Sequence, residues 1–96
     1  MITLDAGNVQ LTPQHRRLLM SRLRRAAHLG QRLGRFVLNL TLRRCGRYVT
    51  LTAHAHDRQG DFEVRTKCVA LTDAFHELAR LIAVRLHDRL LVRAVA

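Results

Sequence analysis

The sequence predicts an α+β fold: a two-layer sandwich in the order β-α-β-β-β-α, with a four-stranded mixed sheet and two helices on one face. Three observations predict it. Apolar and polar residues alternate with period two from Phe36 to Cys68, interrupted only by two short turns. Two other stretches, Thr12 to Leu29 and Thr72 or Asp73 to Arg93, space their apolar residues by three and four, as helices do. A sheet that is apolar on one face only must stack its helices there.

The elements follow in order. Residues 1 to 8 alternate, with Ile2, Leu4 and Ala6 on one side and Thr3 and Asp5 on the other, and the strand ends at Gly7-Asn8. Thr12 caps a helix whose first position takes Pro13, where no N–H is needed. That helix is expected to reach about Leu29, with Gly30 as its left-handed C-cap. After Gly34, Phe36, Leu38, Leu40 and Leu42 form one face of a strand and Val37, Asn39, Thr41 and Arg43 the other. The turn Arg44-Cys45-Gly46-Arg47 leads to a strand with Val49, Leu51, Ala53 and Ala55 inward and Tyr48, Thr50, Thr52, His54 and His56 outward. Past the turn Asp57-Arg58-Gln59-Gly60, Phe62, Val64, Thr66 and Cys68 oppose Glu63, Arg65 and Lys67, which completes an antiparallel meander. In the last helix the main apolar stripe is Ala74, Phe75, Leu78, Ala79, Ile82 and Leu86.

With 96 residues, 48% of them hydrophobic, the chain is read as one globular domain spanning residues 1–96 with a single modest core. No apolar run approaches the roughly 18 residues of a membrane span, and MITLDAGNV lacks the pattern of a signal peptide, so a cytoplasmic protein is expected. Cys45 and Cys68 are expected to be reduced there.

Charge is the strongest compositional signal. Seventeen bases face seven acids, for a net charge of +10. Residues 1–50 hold ten arginines and one acid, Asp5, and carry +9, whereas residues 51–96 carry +1. A basic half points to a polyanion, either nucleic acid or an anionic membrane surface; the alternative is a merely solvated surface. Five arginines fall between Arg16 and Arg25. At about 100° per residue, His15, Leu18, Leu19, Arg22, Leu23 and Ala26 share one arc, and Arg16, Arg17, Arg24 and Arg25 lie outside it. Those four are candidates for phosphate contact. Arg22 is expected within the apolar face, carrying its guanidinium outward or pairing with an acid.

The outward sheet residues Thr41, Arg43, Thr50, Thr52, His54, Arg65 and Lys67 offer hydroxyls and bases suited to phosphates and 2′-OH groups. The alternative is an ordinary solvated face with cross-strand pairs such as Glu63 with a basic neighbour. Tyr48 is the one aromatic there, so a base-stacking platform is not expected. Leu81, Val84 and Leu91 form a second apolar stripe on the last helix, read as a protein–protein seam of a homodimer, or else as a surface wrapped by residues 92 to 96.

Catalytic, metal and cofactor readings find little. His54 and His56 share a strand face with Asp57 adjacent, but no CxxC or HxxxH completes a zinc set. No nucleophile with a base and orienting acid, and no glycine-rich phosphate loop, can be assembled. A non-enzymatic protein with no cofactor and no small-molecule substrate is expected.

On the β-α-β-β-β-α order, Asn8-Val9-Gln10-Leu11-Thr12-Pro13 at the first strand-to-helix junction, and Arg22-Leu23-Arg24-Arg25 in the first helix, the chain resembles the ribosome hibernation promoting factor and ribosome-associated inhibitor family. The resemblance is to the short form and covers nearly the whole chain. It implies a fold like that of double-stranded RNA-binding domains and a stress-response factor that silences translation by docking on small ribosomal subunit rRNA, with no membrane partner. By position, Arg22 and Arg25 match basic residues of the family's first helix, and Lys67 matches one at the end of its fourth strand. The RNA-binding set is therefore expected to be Arg16, Arg17, Arg22, Arg24, Arg25, Arg43, Arg65 and Lys67. The chain departs from the family pattern in its last helix. Ala70-Leu71-Thr72 stands where the family often has Asp-Met-Tyr. Leu81, Val84, Asp88, Leu90, Leu91 and Val92, with Arg80, Arg85, Arg89 and Arg93, stand where the family clusters bases. An alternative follows from that departure: a divergent member acting as a homodimeric or regulatory interaction module.

Overall fold

Two tight hairpins and one parallel pairing build the sheet. The computed structural model describes residues 2–32, 34–58 and 60–95, with side chains as far as Val92. Gln59 of the second turn and the side chains beyond Val92 lie outside the described residues; the backbone of residues 92 to 95 continues the last helix and does not wrap its end. The order is β1 (Ile2–Asp5), α1 (Pro13–Arg32), β2 (Phe36–Cys45), β3 (Tyr48–Asp57), β4 (Gly60–Cys68) and α2 (Leu71–Val95). The strands lie side by side as β1-β2-β3-β4. β1 runs parallel to β2, with Ile2 beside Leu38 and Leu4 beside Leu40. A parallel neighbour needs a crossover, and α1 supplies it. β2 and β3 pair antiparallel from Phe36 with Asp57 to Cys45 with Tyr48, so Gly46-Arg47 is a two-residue turn; Gly46 takes φ +61° as such turns require.

Parity then sorts the side chains as the alternation predicts. Leu38, Leu40, Leu42, Val49, Leu51, Ala53, Ala55 and Val64 are buried on one face, together with Leu19, Leu23 and Ala26 of α1 and Ala74, Phe75, Leu78, Ile82 and Leu86 of α2. Each large side chain buried this fully contributes roughly 1.5–3 kcal/mol. The other sheet face stays open.

The junction before α1 is fixed by backbone groups. Asn8 Nδ2 donates to the Arg44 carbonyl at 2.9 Å, and Arg44 N donates back to Asn8 Oδ1 at 2.8 Å. Gly7, at φ +55°, lies so close to the Leu42 carbonyl that a Cβ would sit 2.5 Å from its oxygen. Thr12 caps α1 as expected, its Oγ1 accepting from His15 N at 3.1 Å. The other end of the helix differs from expectation. α1 continues to Arg32, Gly30 is helical and buried, and Gly34 takes the left-handed φ of +95° while its N donates to Gln31 O. Gly30 is small for another reason: a Cβ there would run into the Phe36 ring.

Asp57 also differs from its expected place in the second turn. It ends β3 pointing inward, buried, where Arg89 of α2 meets it. Among the described residues no helix is long and apolar enough to cross a membrane.

Candidate nucleic-acid interface

The strand registers lay the open sheet face out as rows. Arg43, Thr50 and Lys67 form one row across β2, β3 and β4; Thr41, Thr52 and Arg65 form the next. Asn39, His54 and Glu63 follow, and then His56 with Asp61. The face is therefore cationic towards the β2–β3 turn and acidic towards the β3–β4 turn.

The two ends also differ in how far their polar groups are engaged. At the acidic end, Thr3 Oγ1 donates to Asn39 Oδ1, His56 Nδ1 is paired with Asp61, and His54 Nε2 lies 3.4 Å from Asp61 Oδ2. The hydrogen bond with His56 does most to hold the Asp61 carboxyl below its ordinary value. The acid beside these histidines is thus Asp61, across the strand, and not Asp57, which faces the core. Among the described residues no group of three or more His, Cys, Asp or Glu side chains could hold a metal. Cys45 and Cys68 are both free thiols.

At the cationic end, Thr41, Arg43, Thr50, Thr52 and Arg65 line one shallow concavity. Arg65 is 3.8 Å from Glu63, too far for a hydrogen bond. Beside them the Tyr48 ring lies under Lys67 Nζ at 4.8 Å and near Arg47 Cζ at 5.5 Å. Arg47 was not singled out from the sequence; the signal is its place in a two-residue turn next to the only outward aromatic.

The helical layer covers the opposite sheet face, so the α1 arginines and the sheet residues form two back-to-back surfaces. Arg16, Arg17 and Arg24 lie along the side of α1 nearest Ile2 of β1. Arg22 and Arg25 instead line a groove between the helices with Leu29, Ala79, Val84, His87 and Asp88. Arg22 is exposed, not held in the apolar face. The buried stripe of α1 is narrow, Leu19, Leu23, Ala26 and Gly30, and Arg22 stands on its rim where α2 leaves the groove open. Arg17 Nε reaches the Pro13 carbonyl at 3.4 Å. Arg80 is engaged by Glu77, its Nη2 donating to Oε1 at 2.6 Å.

Leu81, Val84 and Leu91 do not form one free stripe. Leu81 is half-buried and packs against the core. Val84 faces the interhelical groove, and Leu91, 53% exposed, is joined instead by Val92 at 68%.

No protein-family model and no curated protein sequence matches this chain. Solved structures do. The crystal structure of the Thermus thermophilus Protein Y N-terminal domain superposes with a TM-score of 0.72 at 14% identity, covering 88% of this chain and 90% of that one. A ribosomal subunit interface protein from Coxiella burnetii superposes with a TM-score of 0.70 at 11% identity, covering 92% of each chain. At such identities the likeness is one of fold, and the chain has the α+β fold of Protein Y and ribosomal subunit interface proteins.

Proposed function

We propose that the protein is a ribosome-associated, rRNA-binding factor that silences translation by occupying the small subunit, without catalysis. One observation carries this reading: a chain with the fold of a ribosomal subunit interface protein presents two opposed cationic surfaces. Arg16, Arg17, Arg22, Arg24 and Arg25 stand exposed on α1, and Arg43, Arg65 and Lys67 on the sheet. Arginine forks on a rigid scaffold suit phosphate oxygens, and phosphate contact positions a protein on RNA without reading sequence. Back-to-back placement suits a protein lodged between RNA walls. Co-sedimentation with purified small subunits at low and moderate salt tests it. Retention that weakens with salt is expected; none at either salt overturns it.

A second reading, a homodimeric or regulatory interaction module, is favoured by the exposure of Leu91 and Val92 near the end of α2. It expects a dimer by light scattering that Leu91→Asp dissociates. A monomer at high concentration, unchanged by that substitution, removes its support.

A further inference from the structure

We infer that the cationic end of the open sheet holds a discrete phosphate subsite, built from the Thr50 and Thr52 hydroxyls and the Arg43 and Arg65 guanidiniums with Thr41 at its rim. The inference rests on the rRNA reading only for the source of the phosphate. The binding itself is argued from the site.

Register sets the geometry. Thr50 and Thr52 are successive outward residues of β3; Arg43 stands beside Thr50 on β2, and Arg65 beside Thr52 on β4. Neighbouring strands lie about 4.8 Å apart and successive outward residues about 6.7 Å, so the two arginine stems rise roughly 12 Å apart, on the diagonal across the hydroxyls. Long side chains from that spacing can close over one oxyanion seated between them. Donors converging from four side chains suit a tetrahedral phosphate better than a planar carboxylate, whose acceptor sites lie in one plane.

Two further observations point to a ligand. Among the described residues the hydroxyls of Thr41, Thr50 and Thr52 and the guanidinium of Arg43 make no hydrogen bond, while the polar groups at the other end of the same face satisfy one another. No carboxylate lines the concavity. Of these side chains only Arg65 has an acid within 4 Å, Glu63 at 3.8 Å, and donors so little engaged suit an anion. Thr50 and Thr52 are both half-buried on a central strand, whereas the arginines of α1 are exposed.

The test is an amide-shift titration by NMR with two ligands: inorganic phosphate, and a short single-stranded RNA without terminal phosphates. The full chain is compared with the double variant Thr50→Val, Thr52→Val, which keeps β-branched side chains on β3. Saturating shifts at Thr41, Thr50 and Thr52, weakened at least fivefold in the valine variant, are expected. A response to both ligands assigns the phosphate to an RNA strand; a response to inorganic phosphate alone assigns it to a free phosphate compound. Absence of a saturating response to either, or equal binding by a folded valine variant, overturns the subsite. Sedimentation with small subunits, run on the same two proteins, keeps the ribosomal reading separate. Wild-type phosphate binding without sedimentation overturns that reading and leaves the subsite standing.

Discussion

Arg89 of α2 closes onto Asp57 at the end of β3, its Nη1 lying 2.8 Å from each carboxylate oxygen. The Asp57 side chain is 2% exposed. Nη1 and Nη2 also donate to the carbonyls of Gly60 and Asp61, and the guanidinium lies 4.9 Å from the Phe62 ring centroid. One side chain thus ties the second hairpin to the long helix. Arg89→Ala takes the guanidinium from a buried carboxylate, and removing one partner of such a pair costs about 3–5 kcal/mol. Urea denaturation is expected to show a loss near the lower end, about 3 kcal/mol. A loss below about 1 kcal/mol, the worth of an ordinary exposed pair, would mean that the pair is not what holds the hairpin.

Both partners were within reach of sequence reasoning, yet both escape a reading by residue type. The inward parity of Val49, Leu51, Ala53 and Ala55 continues to 57, and the spacing from Ile82 through Leu86 continues to 89. An Asp before a short turn and an Arg on a basic helix look like surface residues, and it takes the pairing itself to make them core. The strand faces and the α2 stripe are legible because one apolar surface must be buried and period fixes which residues share it. The open face is legible for the same reason. Its division into engaged and free donors is not, because that depends on register between strands, which places Asp61 rather than Asp57 beside the histidines. Arg22 shows the limit of a helical arc: the angle is right, but the neighbouring helix decides whether the rim is covered.

Gly30 separates two effects of opposite sign. In a helix interior alanine is favoured over glycine by about 1 kcal/mol. Here the added methyl group would meet the Phe36 ring, a side chain that is itself buried at the start of β2. Overpacking costs about 1–3 kcal/mol, so Gly30→Ala is expected to destabilise by about 1 kcal/mol net. Thermal or urea unfolding measures it. Stabilisation by the substitution would show that Phe36 moves aside freely.

The Asp61 carboxyl titrates below its ordinary value, first through its hydrogen bond with His56, then through the His56 charge and the hydrogen bond and charge of His54. A depressed folded-state value means stability that is present above the unfolded value, near 3.8, and lost as pH falls through the lower folded value. Between about pH 5 and 2, the wild-type melting temperature is therefore expected to fall further than that of Asp61→Asn, which has no carboxyl to protonate. Because the group is solvent-exposed the difference is small, and parallel curves over that range would contradict the coupling.

On α1, Arg24 and Arg25 are exposed and make no hydrogen bond among the described residues. Arg80 of α2 is exposed as well, but Glu77 engages both its Nε and its Nη2. A cation already paired neutralises less of an incoming phosphate than a free one. Each phosphate neutralised on a single strand contributes about 0.7 to the log–log slope of affinity against salt, and about 0.9 on B-DNA. Anisotropy of a labelled short RNA, followed between roughly 50 and 200 mM salt, reads that slope. The double substitution Arg24→Ala, Arg25→Ala is expected to flatten it by roughly 1.4–1.8, while Arg80→Ala leaves it nearly unchanged. An equal effect of the two would place the phosphate path along α2 as much as along α1. No effect of either would leave the sheet face as the RNA-binding surface.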